Sequence, residues 1–323
     1  MNRIFVSGPT GCIGAATVTY LLERNTAEVI GFSRSKDLSR IPQQFHDRVS
    51  WISGDISDAT AVRQALQDAQ PTHIIHLAAF QTPDCQSKPF QGMDVNVTGT
   101  INMLRAAADL DGGLQRFVFA SSAAVYGSRD QYLAETVCET EPYQPPNLYG
   151  YWKVAGEGMA QAFHRETGIS TVALRLATTY GPGRDRGLTS APTSAIKSAV
   201  QGTPYQMPYQ GREHYHFVSD VAAGFAQAAV APFTGYGVFN LRGQTLDTAS
   251  FLAAIHQAAQ DENLPHVPEL SIADDATSMP FVCDLDDSAI LDAFPDMPLT
   301  SIADGVRSSL SYYFRQTRAA HTE

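Results

Sequence analysis

Tyr149 and Lys153 form the pair whose residue types and spacing best suit catalysis in this sequence. They lie four positions apart in a segment with a helical pattern, so their side chains share one face of the helix. A free tyrosine, with a pKa of about 10, is a poor base at neutral pH. A neighbouring ammonium favours the phenolate and is expected to lower that pKa. Tyr149 can then exchange a proton with an alcohol oxygen while a hydride leaves or reaches the adjacent carbon.

Two serines at the end of a predicted buried strand are placed to hold the same alcohol oxygen. The strand covers residues 116–120 and continues into Ser121 and Ser122. Ligands of parallel sheets bind at the carboxyl ends of the strands, where a hydroxyl can position a reacting oxygen near Tyr149. The pattern does not choose between the two serines, because one of them can simply cap the turn.

A glycine-rich turn near the N-terminus has the spacing of a phosphate-binding loop. Gly8, Gly11 and Gly14 follow a predicted strand and open a predicted helix. Glycines allow a pyrophosphate to approach the backbone, and the free N–H groups of the helix N-terminus face that anion. The order of strand, turn and helix therefore predicts a dinucleotide site. The residues expected to contact the cofactor here are Gly8, Thr10, Gly11, Cys12, Ile13 and Gly14.

The end of the second predicted strand bears on the choice between NAD and NADP. An acidic residue at that point would bind the ribose 2′-hydroxyl of NAD, but the strand ends with Ser33 and Arg34. Because a guanidinium pairs well with phosphate, these residues favour NADP over NAD, although an ordinary exposed loop arginine has the same appearance. Asp55 and Ile56 follow the third strand and are placed to cover the adenine, or only to end that strand in a turn.

Short apolar runs alternate with helical patterns through the first half of the chain. This alternation predicts an α/β fold, a doubly wound parallel sheet of the Rossmann type with a smaller C-terminal α+β lobe for the substrate. We expect the dinucleotide-binding domain to comprise residues 1–177 and about 212–245, and the lobe about 178–211 and 246–323. Strands are predicted at residues 4–7, 28–32, 49–53, 73–78, 116–120, 170–176 and 237–241, and helices at 14–22, 59–69, 95–108, 149–166, 191–201, 248–260 and 302–314, with a turn and a helix in 217–230.

The glycine turn, the serine segment and the Tyr-Lys pair, in this order and spacing, resemble the extended short-chain dehydrogenase/reductase family. The similarity is greatest to its nucleotide-sugar epimerase and dehydratase branch, and it covers nearly the whole chain. Further matching motifs are His76-Leu77-Ala78-Ala79, Asn96-Val97-Thr98-Gly99-Thr100, Leu174-Arg175, Tyr180-Gly181-Pro182-Gly183, Phe217-Val218-Ser219-Asp220-Val221 and Val238-Phe239-Asn240-Leu241.

The resemblance implies a role for each of these segments. It identifies Ser122 as the catalytic serine, Tyr149 as the acid/base, and Lys153 as the residue that binds the nicotinamide ribose and tunes Tyr149. It also implies a homodimer in which the helices containing Asn96 and Tyr149 form a four-helix bundle. The further dinucleotide contacts that follow from the resemblance are Leu77, Ala78, Ala79 and Asn96.

Two departures from the family pattern concern the substrate. Sugar 4,6-dehydratases carry Asp-Glu where this chain has Ala123 and Ala124, so elimination of water is not expected. Nucleotide-sugar enzymes usually carry Asn where Thr178 stands and a diphosphate-binding Arg where Glu213 stands, and a carboxylate there would repel a diphosphate. Either another arginine takes over this contact or the substrate carries no nucleotide. The candidate arginines are Arg184, Arg186 and Arg212.

The segment at residues 81–85 follows the fourth strand and lies at the predicted edge of the site, where it either contacts the substrate or merely connects two elements.

His214 and His216 would share a strand face, but no third metal ligand accompanies them, so no metal site is expected. The residues expected to contact the substrate are Gln81, Ser122, Ala123, Thr178, Arg184 and Arg212.

Composition excludes several other classes of protein. The net charge of −11 and the absence of any cluster of basic residues argue against nucleic-acid binding. Four scattered cysteines without a C-x-x-C pair indicate reduced thiols in a cytoplasm. Neither a signal peptide nor a membrane-spanning run of about 18 to 20 apolar residues is apparent, so no membrane partner is expected.

Three functions remain open at this point. The first is NAD(P)-dependent epimerisation of a sugar or nucleotide sugar, in which the hydride returns to the other face of the ketone. The second is net oxidation or reduction of a free sugar or sugar acid without a nucleotide. The third is a non-catalytic, redox-sensing module that holds NADP, and the presence of both Tyr149 and Lys153 argues against it.

Overall fold

Seven strands, all paired in parallel, form the central sheet of the computed structural model, which describes residues 2–262, 264 and 266–320. They are β1 (Asn2–Ser7), β2 (Ala27–Ser33), β3 (Val49–Ser53), β4 (His73–His76), β5 (Arg116–Ser122), β6 (Ser170–Leu176) and β10 (Tyr236–Asn240). The order across the sheet is β10-β6-β5-β4-β1-β2-β3. Because successive strands are added in opposite directions on the two sides of β1, a crevice opens at the carboxyl ends of β1 and β4, where ligands of such sheets bind.

Both faces of this sheet are covered by helices, as the nearly unbroken apolar strands require. On one face, Ile4 and Val6 pack with the helices next to β1 and β10; on the other, Phe5 packs with the helices that follow β3 and β4. The helices of the first face are α1 (Cys12–Glu23) and α8 (Val218–Val230), and those of the second are α2 (Ala59–Ala69), α5 (Gly99–Ala108) and α6 (Leu148–Thr167). Alternate side chains of one strand thus reach two separate cores.

Two short helices, α3 (Thr82–Ser87) and α4 (Pro89–Met93), follow β4 and lead through a π-helical turn (Asp94–Thr98) into α5.

The helix that carries the Tyr-Lys pair, α6, is bounded by local signals at both ends. The Asn147 side chain accepts a hydrogen bond from the backbone N–H of Gly150 (3.0 Å), and Gly168 ends the helix in a left-handed conformation. These are the usual N-cap and C-cap devices, and they fix where Tyr149 enters the first turn.

The remaining elements form two smaller sheets and a third apolar core. One sheet joins β7 (Thr178–Tyr180), β9 (Arg212–Phe217) and β11 (Gln244–Asp247); the other pairs β8 (Tyr205–Gln210) with β12 (Leu270–Ser278). The helices α7 (Ala191–Gln201), α9 (Thr248–Asp261), α10 (Ser288–Ala293) and α11 (Ile302–Ala320) complete the fold. In the described part of the chain, none of the helices has the length and apolar character needed to span a bilayer.

The predicted fold class is confirmed, with local differences. The strand predicted at residues 73–78 ends at His76, because the backbone N–H groups of Leu77 and Ala78 turn to the Ser7 hydroxyl (3.2 Å each). The short elements β7, β8, β9, β11, β12, α3, α4 and α10 were not predicted as separate elements. Within 212–245, β9 pairs in a small sheet and β10 in the large one; the division into two domains stays a prediction.

Candidate active site

The glycine turn after β1 is shaped by contacts that only glycine permits at two of its positions. Gly8 has a φ of +72°, and a Cβ there would lie 2.9 Å from the Ala78 nitrogen. A Cβ on Gly14 would lie 2.1 Å from the Gly8 carbonyl oxygen. Gly11 differs, since it is exposed and its Cβ would meet only the Gly8 oxygen, at 3.5 Å. The protein itself therefore leaves the space beside Gly11 free for a ligand.

This turn is suited to the pyrophosphate of a dinucleotide. Gly11 is the N-cap of α1, and no side chain caps that end of the helix. The first N–H groups of α1 are therefore available to an anion, which the positive end of the helix dipole also attracts. Gly8, Gly11, Cys12, Ile13 and Gly14 all line one cleft. The Thr10 carbonyl instead accepts a hydrogen bond from Arg40 (3.3 Å).

The residues predicted at the adenosine end lie outside that cleft lining. Arg34 is exposed, and its positive charge helps to hold the pKa of Asp55 below its usual value. The larger cause of that lowered pKa is the backbone N–H of Ser57, which donates to Asp55 (2.9 Å), so Asp55 ends its own turn. The Ser33 hydroxyl donates to the Ser35 carbonyl (2.8 Å), and Ile56 is buried.

Ser122, Tyr149 and Lys153 lie together in the same cleft, opposite the glycine turn. The Ser122 hydroxyl is close enough to Tyr149 to lower the pKa of the phenol, and it donates to the Leu176 carbonyl (3.3 Å). Ser122 Oγ also accepts from the backbone N–H of Ala124 (3.1 Å), which fixes its position. Lys153 Nζ donates to the Ala120 carbonyl (2.6 Å) and lies 5.5 Å from the centre of the Tyr149 ring. The geometry thus places Ser122, rather than Ser121, against the phenol.

The pKa of Tyr149 departs from the sequence-based expectation. Burial raises it above the ordinary value, and the two groups that oppose burial are the Ser122 hydroxyl and the positive charge of Arg184. Lys153 is not among the groups that lower the pKa of Tyr149 in the protein alone, and the lowering expected once a positive nicotinamide ring is also present stays a prediction. Burial lowers the pKa of the Lys153 ammonium to about 8, and the ammonium donates to the Ala120 carbonyl.

A buried ion pair that sequence reasoning missed anchors α6 to the sheet. Arg175 on β6 binds Glu157 on α6 through two hydrogen bonds, Nε to Oε1 (2.9 Å) and Nη2 to Oε2 (2.8 Å), and both side chains are 1% exposed. The Ser121 hydroxyl donates to Oε1 of Glu157 (2.5 Å). The hydroxyls of Tyr126 and Tyr143 accept hydrogen bonds from Arg175. Glu157 is one helical turn beyond Lys153, so this network fixes the helix that carries the site.

The predicted substrate residues separate into two groups. Gln81, Ser122 and Arg184 line the cleft, whereas Ala123, Thr178 and Arg212 are not among the lining residues. Leu77 and Ala79 line it as well; Ala78 and Asn96 do not. The buried Asn96 side chain instead binds both backbone polar groups of Phe80 (2.7 and 3.0 Å), and so positions the segment that forms one wall.

Glu213 and Arg212 both lie outside the lining of the cleft. Glu213 is fully buried and accepts a hydrogen bond from Thr178 (2.5 Å), and burial raises its pKa to about 7. Arg212 is exposed and pairs with Asp284 (2.7 Å). Neither residue presents a guanidinium to the cleft.

The two histidines of β9 have structural contacts. His216 Nε2 accepts from the backbone N–H of Ala177 (2.9 Å), and its Nδ1 lies 2.9 Å from the Arg242 carbonyl. His214 contacts Thr245 (3.0 Å). Burial lowers the pKa of both histidines, to about 3 for His216, which keeps the rings neutral. Among the described residues, no three potential ligands are grouped for a metal ion.

Comparisons with known proteins agree with this geometry. The sequence model of the NAD dependent epimerase/dehydratase family matches residues 4–264. UDP-glucuronate 4-epimerase 5 of Arabidopsis thaliana is 30% identical over 68% of this chain and 52% of its own length. The D-erythronate dehydrogenase of Cupriavidus necator is 28% identical over 80% of this chain and 82% of its own. The chain thus spans about half the length of some curated relatives and most of another.

A solved structure of an epimerase also matches this chain. The UDP-glucose 4-epimerase of Thermus thermophilus, crystallised as a complex with NAD, superimposes with a TM-score of 0.80 at 25% identity. The match covers 96% of this chain and 98% of that chain. The similarity therefore includes both the large sheet and the smaller C-terminal elements.

Proposed function

Because the chain belongs to the NAD dependent epimerase/dehydratase family, we propose that it oxidises a secondary alcohol of a sugar-like substrate at Tyr149, with NAD(P) as cofactor. The observation that carries this proposal is that Tyr149, Ser122 and Lys153 line one cleft together with the glycine turn. When bound, the dinucleotide supplies the hydride acceptor. Its pyrophosphate would be held by the N-terminus of α1, and its nicotinamide ribose by Lys153.

The side chains of this site then have distinct tasks. Ser122 and Tyr149 hydrogen-bond the substrate oxygen, and Tyr149 removes its proton as the carbon is oxidised. The phenolate form of Tyr149 is disfavoured by burial but stabilised by Ser122 and by the charge of Arg184. Lys153, held at the Ala120 carbonyl, carries a proton at neutral pH, since its pKa is about 8.

Two outcomes are compatible with this first step. The first is epimerisation, in which the hydride would return to the substrate; it is supported by the relative named UDP-glucuronate 4-epimerase 5. The relative named D-erythronate dehydrogenase supports net oxidation of a sugar acid. The buried Glu213, which replaces the expected diphosphate-binding arginine, favours the second outcome. Ala123 and Ala124 offer no carboxylate, so we do not propose dehydration.

For the cofactor, we propose that NADP is accepted in preference to NAD. The support is Arg34, which is exposed at the end of β2 where no acidic residue stands to bind a ribose 2′-hydroxyl. Its guanidinium, with the Ser33 hydroxyl beside it, is suited to a 2′-phosphate.

We also propose that the protein is a homodimer in the cytoplasm. Each subunit would have a dinucleotide-binding domain, residues 1–177 and about 212–245, and a substrate lobe, about 178–211 and 246–323. The dimer is supported by four exposed apolar side chains on the neighbouring elements α4 and α6, namely Phe90, Met93, Leu148 and Tyr151. All four cysteines are free thiols, which suits a reducing compartment. Light scattering of wild type and Phe90→Asp tests the dimer: the variant should be monomeric.

The function itself is tested with Tyr149→Phe and the control Tyr312→Phe, which changes an exposed tyrosine on α11. Substrates are UDP-glucose, UDP-glucuronate and D-erythronate, followed by absorbance at 340 nm and by chromatography of epimers. Tyr149→Phe should bind NADPH normally and lose turnover by about 10² to 10⁴, the range for general acid–base catalysis. If its turnover equals that of the control, Tyr149 is not the acid/base.

A further inference from the structure

Arg184 reaches into the cleft beside Tyr149 and is incompletely satisfied there. Its Nη2 donates to the Thr189 hydroxyl (2.7 Å). Its Nη1 donates to Gln81 (3.0 Å) when the carboxamide oxygen faces the guanidinium, and that orientation lets the Gln81 nitrogen donate to the Arg186 carbonyl (3.2 Å). The Nε atom is buried and has no partner in the described part of the chain. A buried donor of this kind calls for an acceptor from outside the protein.

The charge of Arg184 is also uncompensated. Among the described residues, no carboxylate lies within 4.0 Å of its guanidinium; the adjacent Asp185 pairs with Arg40 (3.1 Å) and Lys197 instead. Burial accordingly lowers the pKa of Arg184. A buried cation without a counter-ion is unfavourable, and an anionic ligand in the cleft would remove that penalty.

We propose that Arg184 binds an anionic oxygen of the substrate, which is a free hydroxy acid whose carboxylate sits at Arg184 while its secondary alcohol is held by Tyr149. This inference rests on the function proposed above and names its substrate class. The neutral acceptors on Arg184, Thr189 and Gln81, leave its charge for the ligand. The diphosphate-binding arginine of the family pattern is replaced here by the buried Glu213, which favours a substrate without a nucleotide. Binding of UDP-glucose that depends on Arg184, with no binding of the acids, would overturn this assignment.

The pyrophosphate of the dinucleotide is the other source of anionic oxygens, because Arg184 is also near Cys12 in the glycine turn. We assign Arg184 to the substrate because α1 already provides uncapped N–H groups to the pyrophosphate. Arg184 is moreover close enough to Tyr149 to lower the pKa of the phenol, as a residue that holds the substrate must be.

The experiment compares a hydroxy acid with its neutral counterpart, D-erythronate with erythritol, and extends to five- and six-carbon aldonates. Binding to wild type, Arg184→Gln and the exposed control Arg63→Gln is measured by calorimetry at saturating NADPH, with which the acid cannot react. Arg184→Gln should weaken acid binding by about 10- to 100-fold, the loss expected for a charge-assisted hydrogen bond. Arg63→Gln should match wild type, and erythritol should bind more weakly than D-erythronate to wild type.

Direct titration of each variant with NADPH separates the two sources of anion. Unchanged NADPH affinity in Arg184→Gln supports the substrate assignment, whereas a loss equal to the loss for the acid overturns it in favour of the pyrophosphate. The proposal is also overturned if none of the acids binds wild type, or if the neutral polyol binds as tightly as the acid. Acid binding that depends on Arg184 without any hydride transfer would instead retain this inference and reject the proposed oxidation.

Discussion

Replacing Gly11 by alanine separates the folding role of the glycine turn from its binding role. Gly11 has φ −72° and ψ 164°, a conformation open to any residue, and an added Cβ would meet only the Gly8 oxygen, at 3.5 Å. That distance is an ordinary van der Waals contact. Stability should therefore change by no more than about 1 kcal/mol, and in the stabilising direction if the loss of unfolded-state entropy dominates.

Gly14→Ala is the matched control, since it adds the same methyl group three residues later. There the Cβ would lie 2.1 Å from the Gly8 oxygen and 2.8 Å from the Pro9 Cα, both backbone atoms that cannot move independently. The turn must distort, and we expect a loss of about 1 to 3 kcal/mol, as for overpacking in a filled core.

The two variants should rank differently in dinucleotide binding and in stability. The methyl group of Gly11→Ala occupies the open space above the turn, so a pyrophosphate cannot approach the uncapped N–H groups of α1. Losing two charge-assisted hydrogen bonds of about 1.5 kcal/mol each corresponds to an affinity about 100-fold lower. Urea denaturation measures the stability, and NADPH fluorescence titration measures the affinity. Wild-type affinity in Gly11→Ala, or instability equal to that of Gly14→Ala, would refute this account of the turn.

Three further predictions concern buried charges and cofactor choice. Glu213→Gln should stabilise the protein more at pH 8 than at pH 5. The pKa of Glu213 is about 7 in the folded protein and 4.5 ordinarily, so the free energy of unfolding of wild type falls as the pH rises from 4.5 to 7. The loss is about 3 kcal/mol, at about 1.36 kcal/mol per pKa unit. Denaturation at both pH values checks this, and an equal difference at each would contradict it. Glu157→Gln leaves Arg175 buried without a counter-ion and should cost about 3 to 5 kcal/mol, whereas Glu166→Gln, at an exposed site on the same helix, should change little; chemical denaturation compares them. Arg34→Ala should weaken NADPH binding by about 10-fold and leave NADH binding unchanged, and titration with both cofactors would show an equal effect if Arg34 does not contact the 2′-phosphate.

The parts of the site that were predictable share a local origin. The turn from Gly8 to Gly14 depends on residues within one strand-to-helix connection, and the Tyr149–Lys153 pair depends on one turn of helix. The alternation of apolar strands with helical segments likewise predicted the large sheet, because each of its strands is a continuous apolar run. The smaller strands escaped prediction for the opposite reason. β12 contains Asp274 and Asp275 among its apolar residues and pairs with β8, a strand far away in the chain, with Leu270 opposite Tyr205.

Amino-acid order alone therefore determined the class of fold and predicted the dinucleotide turn and the Tyr149–Lys153 pair, because these follow from local spacings and periodicities. Tertiary structure decided which of Ser121 and Ser122 meets Tyr149, since adjacent strand residues point to opposite faces and Glu157 takes the first of them. It also decided that Glu213 is buried while Arg184 faces the cleft. Those outcomes depend on desolvation and on partners distant in the chain, which no local pattern encodes.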